Sequence, residues 1–297
     1  MAIILGDHQY GKAESRLVRI VRDQPRHEIR DLNVSTALRG PFEPAYLAGD
    51  QSNVLPTDTQ KNTAYAFAKS KGVDTIEQFG LDMARHFVHE VDPVEGARIE
   101  IEEFAWQRAF VDGAEHDHTW MRTGQEVRTA AVTVDAIGEY VIAGLKDLTI
   151  LKSTGSEFSG FLVDEYTTLA ETHDRIMATA LDVKWRYDGT DHDWDAIYAD
   201  VKKIMVREFA TLQSLALQQT LWHMGTAVLT AYPQIAEIRL KAPNKHHFDY
   251  DIGRFGIENQ NEVFIAADRP YGLIEATITR DDASDAGEAW RFSAGLA

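Results

Sequence analysis

The stretch PTDTQKNTAYAFAK, residues 56 to 69, places a threonine, an aspartate, a glutamine, a lysine and an asparagine close together at the start of a predicted helix. A threonine there can cap the helix by accepting a backbone N–H. Hydroxyl and amino groups can also transfer protons, but a lysine is a base only where burial depresses its pKa, and a hydroxyl needs a partner that takes its proton. The stretch is therefore either an ordinary helix start or part of a reactive site.

Histidine-containing stretches make a metal-dependent oxygenase an alternative. On a strand, His116 and His118 would share one face, as ligands of one metal must. No carboxylate follows them at a recognised metal-site spacing, and the spacing H-x-x-x-H is absent. For these two, and for His192, His246 and His247, hydrogen bonding in loops or interfaces is favoured, and we predict no metal site.

The composition is that of a globular protein of 297 residues with 44% hydrophobic content, enough for two domains or one long duplicated domain. There is no cysteine, which excludes disulfides, thiolate metal sites and cysteine nucleophiles. Thirty Lys and Arg against forty-seven Asp and Glu give a net charge of −17, which argues against nucleic acid or an anionic membrane as a partner. Without a signal peptide or a long apolar run, we expect a soluble chain.

The first half of the chain predicts strand, strand, helix, helix, strand, strand. Residues 16–34 indicate two extended segments, and a helix is expected to begin between Thr57 and Thr59. A second helix is marked by Thr75 and Gln78, a candidate capping box before an apolar stripe. Residues 97–106 and 126–134 alternate between apolar and polar residues with period two, as half-buried strands do.

The second half, from about Gly138, repeats this order of elements. Two strand-like segments precede two amphipathic helices, of which the second should end at Tyr232 because Pro233 disfavours helix before it. Two further strands close the chain. We predict an α+β fold of two modules, residues 1–137 and 138–297, with helices on one face of antiparallel sheets. Long strands with open edges need neighbours, so an oligomer that closes a barrel is expected.

Seven short stretches, distributed from Tyr10 to Ile278, closely resemble the urate oxidase (uricase) family in order and spacing. They are YGKAE (10–14), TDTQKN (57–62), LKSTGSEFSGF (151–161), YTTLAETHDRI (166–176), ALQQT (216–220), PNKHHF (243–248) and DRPYGLIEATI (268–278). The resemblance implies tandem tunnelling-fold (T-fold) modules, a homotetramer that forms a hollow barrel, and active sites at chain interfaces. It also implies oxidation of urate by molecular oxygen to 5-hydroxyisourate and hydrogen peroxide, in purine catabolism, with no metal and no organic cofactor.

The resemblance assigns roles to ten residues. Arg175 and Gln218 match the residues that clamp the polar edges of the substrate, and Phe158 matches the aromatic that stacks on the purine. Leu169 and Leu217 match apolar wall positions, and the backbone N–H groups of Asp58 and Leu217 match substrate contacts. Lys12, Thr57 and His246 match a proton relay, and Asn244, with Thr57, matches the residue that holds oxygen or water over the substrate.

Two alternatives of other classes remain open from the sequence. One is a purine carrier that keeps the clamp without the chemistry, although the presence of Lys12, Thr57 and Asn244 argues against it. The other is a pterin enzyme of the same fold, whose zinc-dependent members need differently arranged ligands. The chain ends in RFSAGLA and lacks the Ser-Lys-Leu peroxisomal address of eukaryotic members, so a bacterial cytoplasmic enzyme is expected.

Overall fold

A single antiparallel sheet of eight strands organises the fold, with strands β1 to β8 side by side in chain order. The computed structural model describes residues 1–295. Leu296 and Ala297, the last two residues of the C-terminal stretch compared above with the peroxisomal address, lie outside the described residues. The strands are Tyr10–Val21, Glu28–Arg39, Gly96–Val111, Ala114–Asp135, Glu139–Lys152, Met177–Tyr187, Ile235–Asp249 and Phe264–Thr279. Strands β1 and β8 form the two edges.

Helices α2 to α5 cover one face of this sheet. Helices α2 and α3 contact the first four strands, and α4 and α5 contact β5, β7 and β8. The helices α1 to α5 are Glu43–Ala48, Thr57–Ser70, Ile76–Glu90, Trp194–Thr211 and Leu217–Ala231, and a 3-10 turn spans Gly253–Phe255. The sequence did not predict α1, which buries no residue and therefore carries no apolar stripe. In the part of the chain described, no helix combines the length and apolar character of a membrane span.

The core lies between the helices and the sheet. The predicted stripe of α3, which includes Phe79 and Phe87, is buried there, and so is Trp185 of β6. Along β3, Ile99 and Ile101 belong to the core, whereas the alternating charged residues point to the opposite face, which carries no helix. The period-two alternation of the sequence thus separates an apolar face from a charged face.

Helix ends follow local sequence in two cases. Thr75 caps α3, since its Oγ1 accepts the N–H of Gln78 at 3.3 Å. The Gln78 side chain donates to Asp82 at 2.8 Å, so only one half of the predicted capping box forms. Helix α5 ends at Ala231 with Tyr232 as its C-cap, as predicted from Pro233.

Strands β3 and β4 are longer than predicted. Together they form a hairpin that continues to Asp112 and Gly113, whose φ angles of 50° and 85° suit a tight two-residue turn. Most residues between 107 and 125 are exposed or half-buried, so the segment lacks the apolar alternation that marks a half-buried strand. The sequence pattern could therefore identify only the buried part of each strand.

The two halves share one sheet because β4 and β5 are paired directly, from Val127 opposite Lys146 to Val134 opposite Glu139. The connecting turn is held by Asp135, whose Oδ1 accepts the N–H groups of Ile137 at 2.8 Å and Gly138 at 3.0 Å. The repeated order of elements matches the predicted tandem layout. The division at residue 137 stays a prediction, since the sheet runs through it.

A buried charge network links the helices of the two halves across β4. Arg128 donates from Nη2 to Glu77 of α3 at 2.8 Å and from Nη1 to Asp195 of α4 at 2.5 Å, and its guanidinium lies 4.6 Å from the ring centre of Tyr198. Glu77 has 0% exposure, and this burial raises its pKa above the ordinary value. One arginine therefore holds two helices that the sequence places in different modules.

The residues after β8 form what we call the C-terminal strap, residues 280–295, on the face that carries no helix. Arg186 of β6 donates to the carbonyl of Ser284 at 2.7 Å, and Arg98 of β3 donates to the carbonyl of Ala289 at 2.8 Å. At its far end, Gln9 donates to the carbonyl of Ser293 at 2.6 Å, just before β1. The strap thus runs from the last strand to the first.

We expect Arg128→Met to lower the free energy of unfolding by about 3 to 5 kcal/mol, because it leaves Glu77 buried without its counter-charge. Urea denaturation of the purified protein measures this change. Arg207→Met is the control, since that arginine pairs with Glu208 at an exposed position, and it should shift stability by less than about 0.5 kcal/mol. Equal effects of the two substitutions would contradict a structural role for the buried network.

Candidate active site

The structure separates the predicted site residues into two groups. We call Lys12 of β1 and Thr57 and Asp58 of α2 the first group. The second group occupies the loop between β5 and β6, the start of α5, and β7; it contains Phe158, Leu169, Arg175, Leu217, Gln218, Asn244 and His246.

Thr57 is the first residue of α2 and does not cap it. Pro56 occupies the N-cap position, and no side chain accepts a hydrogen bond from the first turn. The predicted threonine cap is therefore wrong, because the proline already sets the turn into the helix. Within residues 1–295 the Thr57 hydroxyl has no recorded hydrogen-bond partner, and the N–H of Asp58 lies in the same uncapped turn. Both groups are available to an external molecule.

The other polar residues of this turn bind one another. Lys61 contacts one carboxylate oxygen of Asp58, and Asn62 donates to the other at 3.0 Å. The hydrogen bond and charge of Lys61 lower the pKa of Asp58, with smaller contributions from Asn62 and from the charge on Lys12. Lys12 therefore lies within electrostatic reach of this turn. The polar helix start is explained by a local network beside an unused hydroxyl.

The loop before β6 is held against the start of α5 by backbone contacts. Phe158 and Thr172 exchange backbone hydrogen bonds of 2.8 and 3.0 Å, and Arg175 donates its N–H to the carbonyl of Ser156 at 2.8 Å. Ser156 forms a parallel bridge with Ser214, which precedes α5. Phe158 and Arg175 are thereby fixed close to the first turn of that helix.

Arg175 is a half-buried cation without a counter-charge. Among the described residues it forms no ion pair, and its buried Nε has no hydrogen-bond partner. Neither of the neighbouring acidic residues pairs with it, since Asp174 accepts from Thr154 and Glu171 accepts the N–H of Gly160. Burial lowers the pKa of Arg175.

The ring of Phe158 completes a surface beside this cation. The Arg175 guanidinium carbon lies 5.1 Å from the Phe158 ring centre, and Phe161 stacks on the same ring at 4.7 Å with 15° between the planes. The family motifs did not assign a role to Phe161, although its spacing of three residues from Phe158 in SEFSGF was a visible signal. A flat anion would find both a charge partner and an aromatic face here.

The start of α5 presents backbone and amide groups. Its N-cap is Ala216, whose side chain cannot accept a hydrogen bond, so the N–H groups of Leu217 and Gln218 have no side-chain cap. The Gln218 side chain is exposed. The Leu217 side chain is only 3% exposed and packs in the core, so it does not form a surface wall in this chain, whereas Leu169 is 55% exposed. The N–H of Leu217 lies in this uncapped turn.

Asn244 and His246 lie two residues apart on β7. Asn244 lies opposite Thr179 of β6 and Gly272 of β8, and His246 stacks on Phe248 with ring centres 5.6 Å apart. Burial lowers the pKa of His246, and the charges of Arg175 and His247 lower it further. His246 is therefore an electrostatic neighbour of Arg175 and remains neutral at neutral pH.

The two groups lie far apart along the sheet of one chain. Strand β1 carries Lys12, and five strand spacings of about 4.8 Å, roughly 24 Å in total, separate it from β6. A cavity of about 520 Å³ lies on the face without helices, among residues such as Lys146 and Glu275, and includes neither group. One chain alone therefore does not bring the two groups together.

The histidines considered as metal ligands have neighbours of their own. The rings of His116 and His118 meet edge to face at 4.4 Å, and His27 lies 5.9 Å from His118. His192 stacks on Tyr187 at 5.0 Å. Residues 1–295 contain no cluster of three His, Cys, Asp or Glu side chains arranged to hold one metal ion.

Comparison with known proteins agrees with this arrangement of elements and motifs. The Uricase family model matches residues 8–133 and 141–275. A uricase of Arthrobacter globiformis is 50% identical over 99% of this chain and 96% of its own length, and one of Dictyostelium discoideum is 35% identical over 92% and 96%. The crystal structure of the Arthrobacter globiformis uricase superposes with a TM-score of 0.93 and covers 98% of this chain and 99% of that one. The protein belongs to the uricase family.

Proposed function

We propose that the protein is a urate oxidase, which oxidises urate with molecular oxygen to 5-hydroxyisourate and hydrogen peroxide in purine catabolism. The observation that carries this proposal is Arg175, a half-buried cation with no ion pair among the described residues, in a chain of net charge −17. An uncompensated buried charge is costly, and an anionic ligand removes that cost. The aromatic face of Phe158 beside it favours a flat anion such as urate.

Binding is assigned to groups on the loop and on α5. The Arg175 fork and the Gln218 amide hold the polar edges of the purine, while Phe158 stacks on its face. Leu169 supplies apolar contact. The N–H groups of Leu217 and, from the first group, Asp58 donate at helix starts, where the dipole favours an anion.

The reaction transfers two electrons and two protons from urate to dioxygen, which becomes hydrogen peroxide, and a water molecule supplies the new hydroxyl at C5. Thr57, Lys12 and His246 form the proton relay, and Asn244 with Thr57 holds oxygen or water over the ring. Deprotonated urate is electron-rich enough to give the first electron to oxygen itself. The protein supplies orientation and charge stabilisation, and the reaction requires neither a metal nor an organic cofactor.

Assembly of the complete site requires more than one chain. The two groups lie on distant strands of one sheet, while β8 presents an edge with Ile265, Tyr271 and Leu273 exposed by 46 to 51%. Pairing of edge strands between chains would bury these side chains and bring a β1 with Lys12 near another chain's second group. We propose a homotetrameric barrel with active sites at chain interfaces, in the cytoplasm of a bacterium. Only the bacterial source is supported by the relative from Arthrobacter globiformis.

The test of this function is urate turnover after exhaustive chelation of metals. We expect the absorbance of urate in the ultraviolet to fall while hydrogen peroxide accumulates in equal amount. A protein that binds urate but leaves it unchanged would be a carrier, and one that works only after iron or copper is added would be a metal-dependent oxygenase. Either result would overturn the proposal.

Arg175→Ala should weaken urate binding by about 2 to 4 kcal/mol, because a charge-assisted pair of hydrogen bonds is lost from a desolvated site. Titration under anaerobic conditions measures binding without turnover. Arg207→Ala, which removes an arginine from the exposed face of α4, serves as the control and should bind urate normally. An unchanged affinity in Arg175→Ala would remove the clamp assignment.

The interface site is tested by mixing Arg175→Ala chains with Thr57→Ala chains. If each site combines Arg175 of one chain with Thr57 of another, co-expressed chains should recover about a quarter of wild-type activity, since one random pairing in four is intact. At a urate concentration that saturates only the wild-type protein, each variant expressed alone should show little activity. No recovery in verified mixed oligomers would contradict a site shared between chains.

An NMR pH titration should find the pKa of His246 below the ordinary 6.5, with burial as the main cause. Arg175→Met should raise this pKa, because a cationic neighbour that disfavours the imidazolium is removed while burial remains. In the wild type, a relay that needs neutral His246 should keep its activity below pH 6.5. It should lose that activity only as the pH falls through the lowered pKa of His246. A wild-type pKa at or above 6.5, or no rise in Arg175→Met, would count against this role.

A further inference from the structure

Strand β1 is irregular at Lys12. The pairing of β1 with β2 is regular up to Lys12, opposite Thr36, and resumes at Ser15, opposite Val34. Between them, Glu14 adopts a φ of 57°, a left-handed conformation that is costly for a residue with a side chain. Such bulges are concentrated next to active sites, where they redirect a side chain.

Side-chain hydroxyls of β2 hold this bulge in place. The N–H of Lys12 donates to Thr36 Oγ1 at 3.3 Å, and the N–H of Glu14 donates to Ser35 Oγ at 2.8 Å. Thr36 and Ser35 are neighbours on one strand, so they point to opposite faces of the sheet. Hydrogen bonds on both faces of the sheet therefore stabilise the irregular backbone.

Thr36 connects this bulge to the first turn of α2 through a buried amide. Thr36 Oγ1 donates to Gln60 Oε1 at 2.7 Å, with Thr36 3% exposed and Gln60 fully buried. Gln60 Nε2 donates in turn to the carbonyl of Leu55 at 3.4 Å, just before the helix. Gln60 and Thr57 are three residues apart on α2 and therefore lie on the same side of the helix.

We propose that Thr36 and Gln60 are positioning residues, which fix the backbone of Lys12 relative to Thr57 through the chain Lys12 N–H, Thr36 hydroxyl, Gln60 amide. This inference rests on the proposed function of Lys12 and Thr57 as a proton relay. Two buried polar side chains bonded to each other could be replaced by apolar ones at little cost to stability. Their use at this point is explained by the need to set a distance between a strand and a helix.

The test compares Thr36→Val, which removes the hydroxyl at nearly constant shape, with Thr36→Ser, which keeps it. Thr36→Val should lower kcat about tenfold with KM changed less than about twofold, because a misplaced relay affects the reacting state, and Thr36→Ser should restore most of kcat. Thr133→Val is the control, since Thr133 is also fully buried in the sheet and its hydroxyl accepts from Arg98 at 2.9 Å. Equal kcat in the Thr36→Val and Thr133→Val proteins would overturn the proposal.

A second variant separates positioning from stability. Gln60→Met should lower kcat as Thr36→Val does, and the double variant should be no slower than either single one, because both break one connection. If the two losses of kcat multiplied in the double variant, Thr36 and Gln60 would not act through one connection. If Thr36→Val does not fold, the kcat of Gln60→Met is compared with that of Thr133→Val instead. Equal kcat values would overturn the proposal.

The reactivity of Lys12 provides a measurement that does not depend on urate. Acetylation by a small reagent, followed by peptide mass spectrometry over a range of pH, should differ at Lys12 by at least about threefold between Thr36→Val and Thr133→Val. Equal reactivity would overturn the positioning role even in a protein that leaves urate unchanged. A wild type without urate turnover but with this difference would refute the oxidase function alone.

Discussion

The direct pairing of β4 with β5 is the constraint on which the arrangement of the whole chain depends. It turns two similar sets of elements into one sheet, with every helix layer on the same face and with β1 and β8 left as edges. Lys12 lies on the first edge strand, while Arg175 and His246 lie near the opposite edge. A sheet built in this way keeps Lys12 and Thr57 apart from Arg175 and His246 within one chain, and the proposed site combines the two groups through contact between chains.

Arg128 and Arg175 differ in whether carboxylates surround them. Arg128, inside the helix layer, is surrounded by carboxylates and serves to hold α3 and α4. Arg175 is half-buried and has no such partner among residues 1–295, so its charge remains available to a ligand. In an acidic chain that has carboxylates within reach of most basic residues, this difference separates an arginine held in a charge network from the arginine proposed to bind the ligand.

The sequence predicted the elements that are defined by local signals. The start of α3 follows from Thr75 and its apolar stripe, and the end of α5 follows from Pro233. The outer part of the hairpin between β3 and β4 escaped prediction because its residues alternate between two largely exposed faces. The direction of the Leu217 side chain also escaped it, since packing against the core, rather than any motif, decides which side of a helix start faces inward. The family motifs predicted residues for the site, but the bulge at Lys12 and its link to Gln60 depend on contacts between segments distant in the chain.

The C-terminal strap has a consequence for biosynthesis. Its contact between Gln9 and Ser293 joins residues 284 positions apart, so the support beneath the start of β1 is synthesised after all eight described strands. Because translation proceeds from the N-terminus, the nascent first strand lacks this support until the later strands have been made. Final seating of the edge that carries Lys12 therefore follows the synthesis of β8.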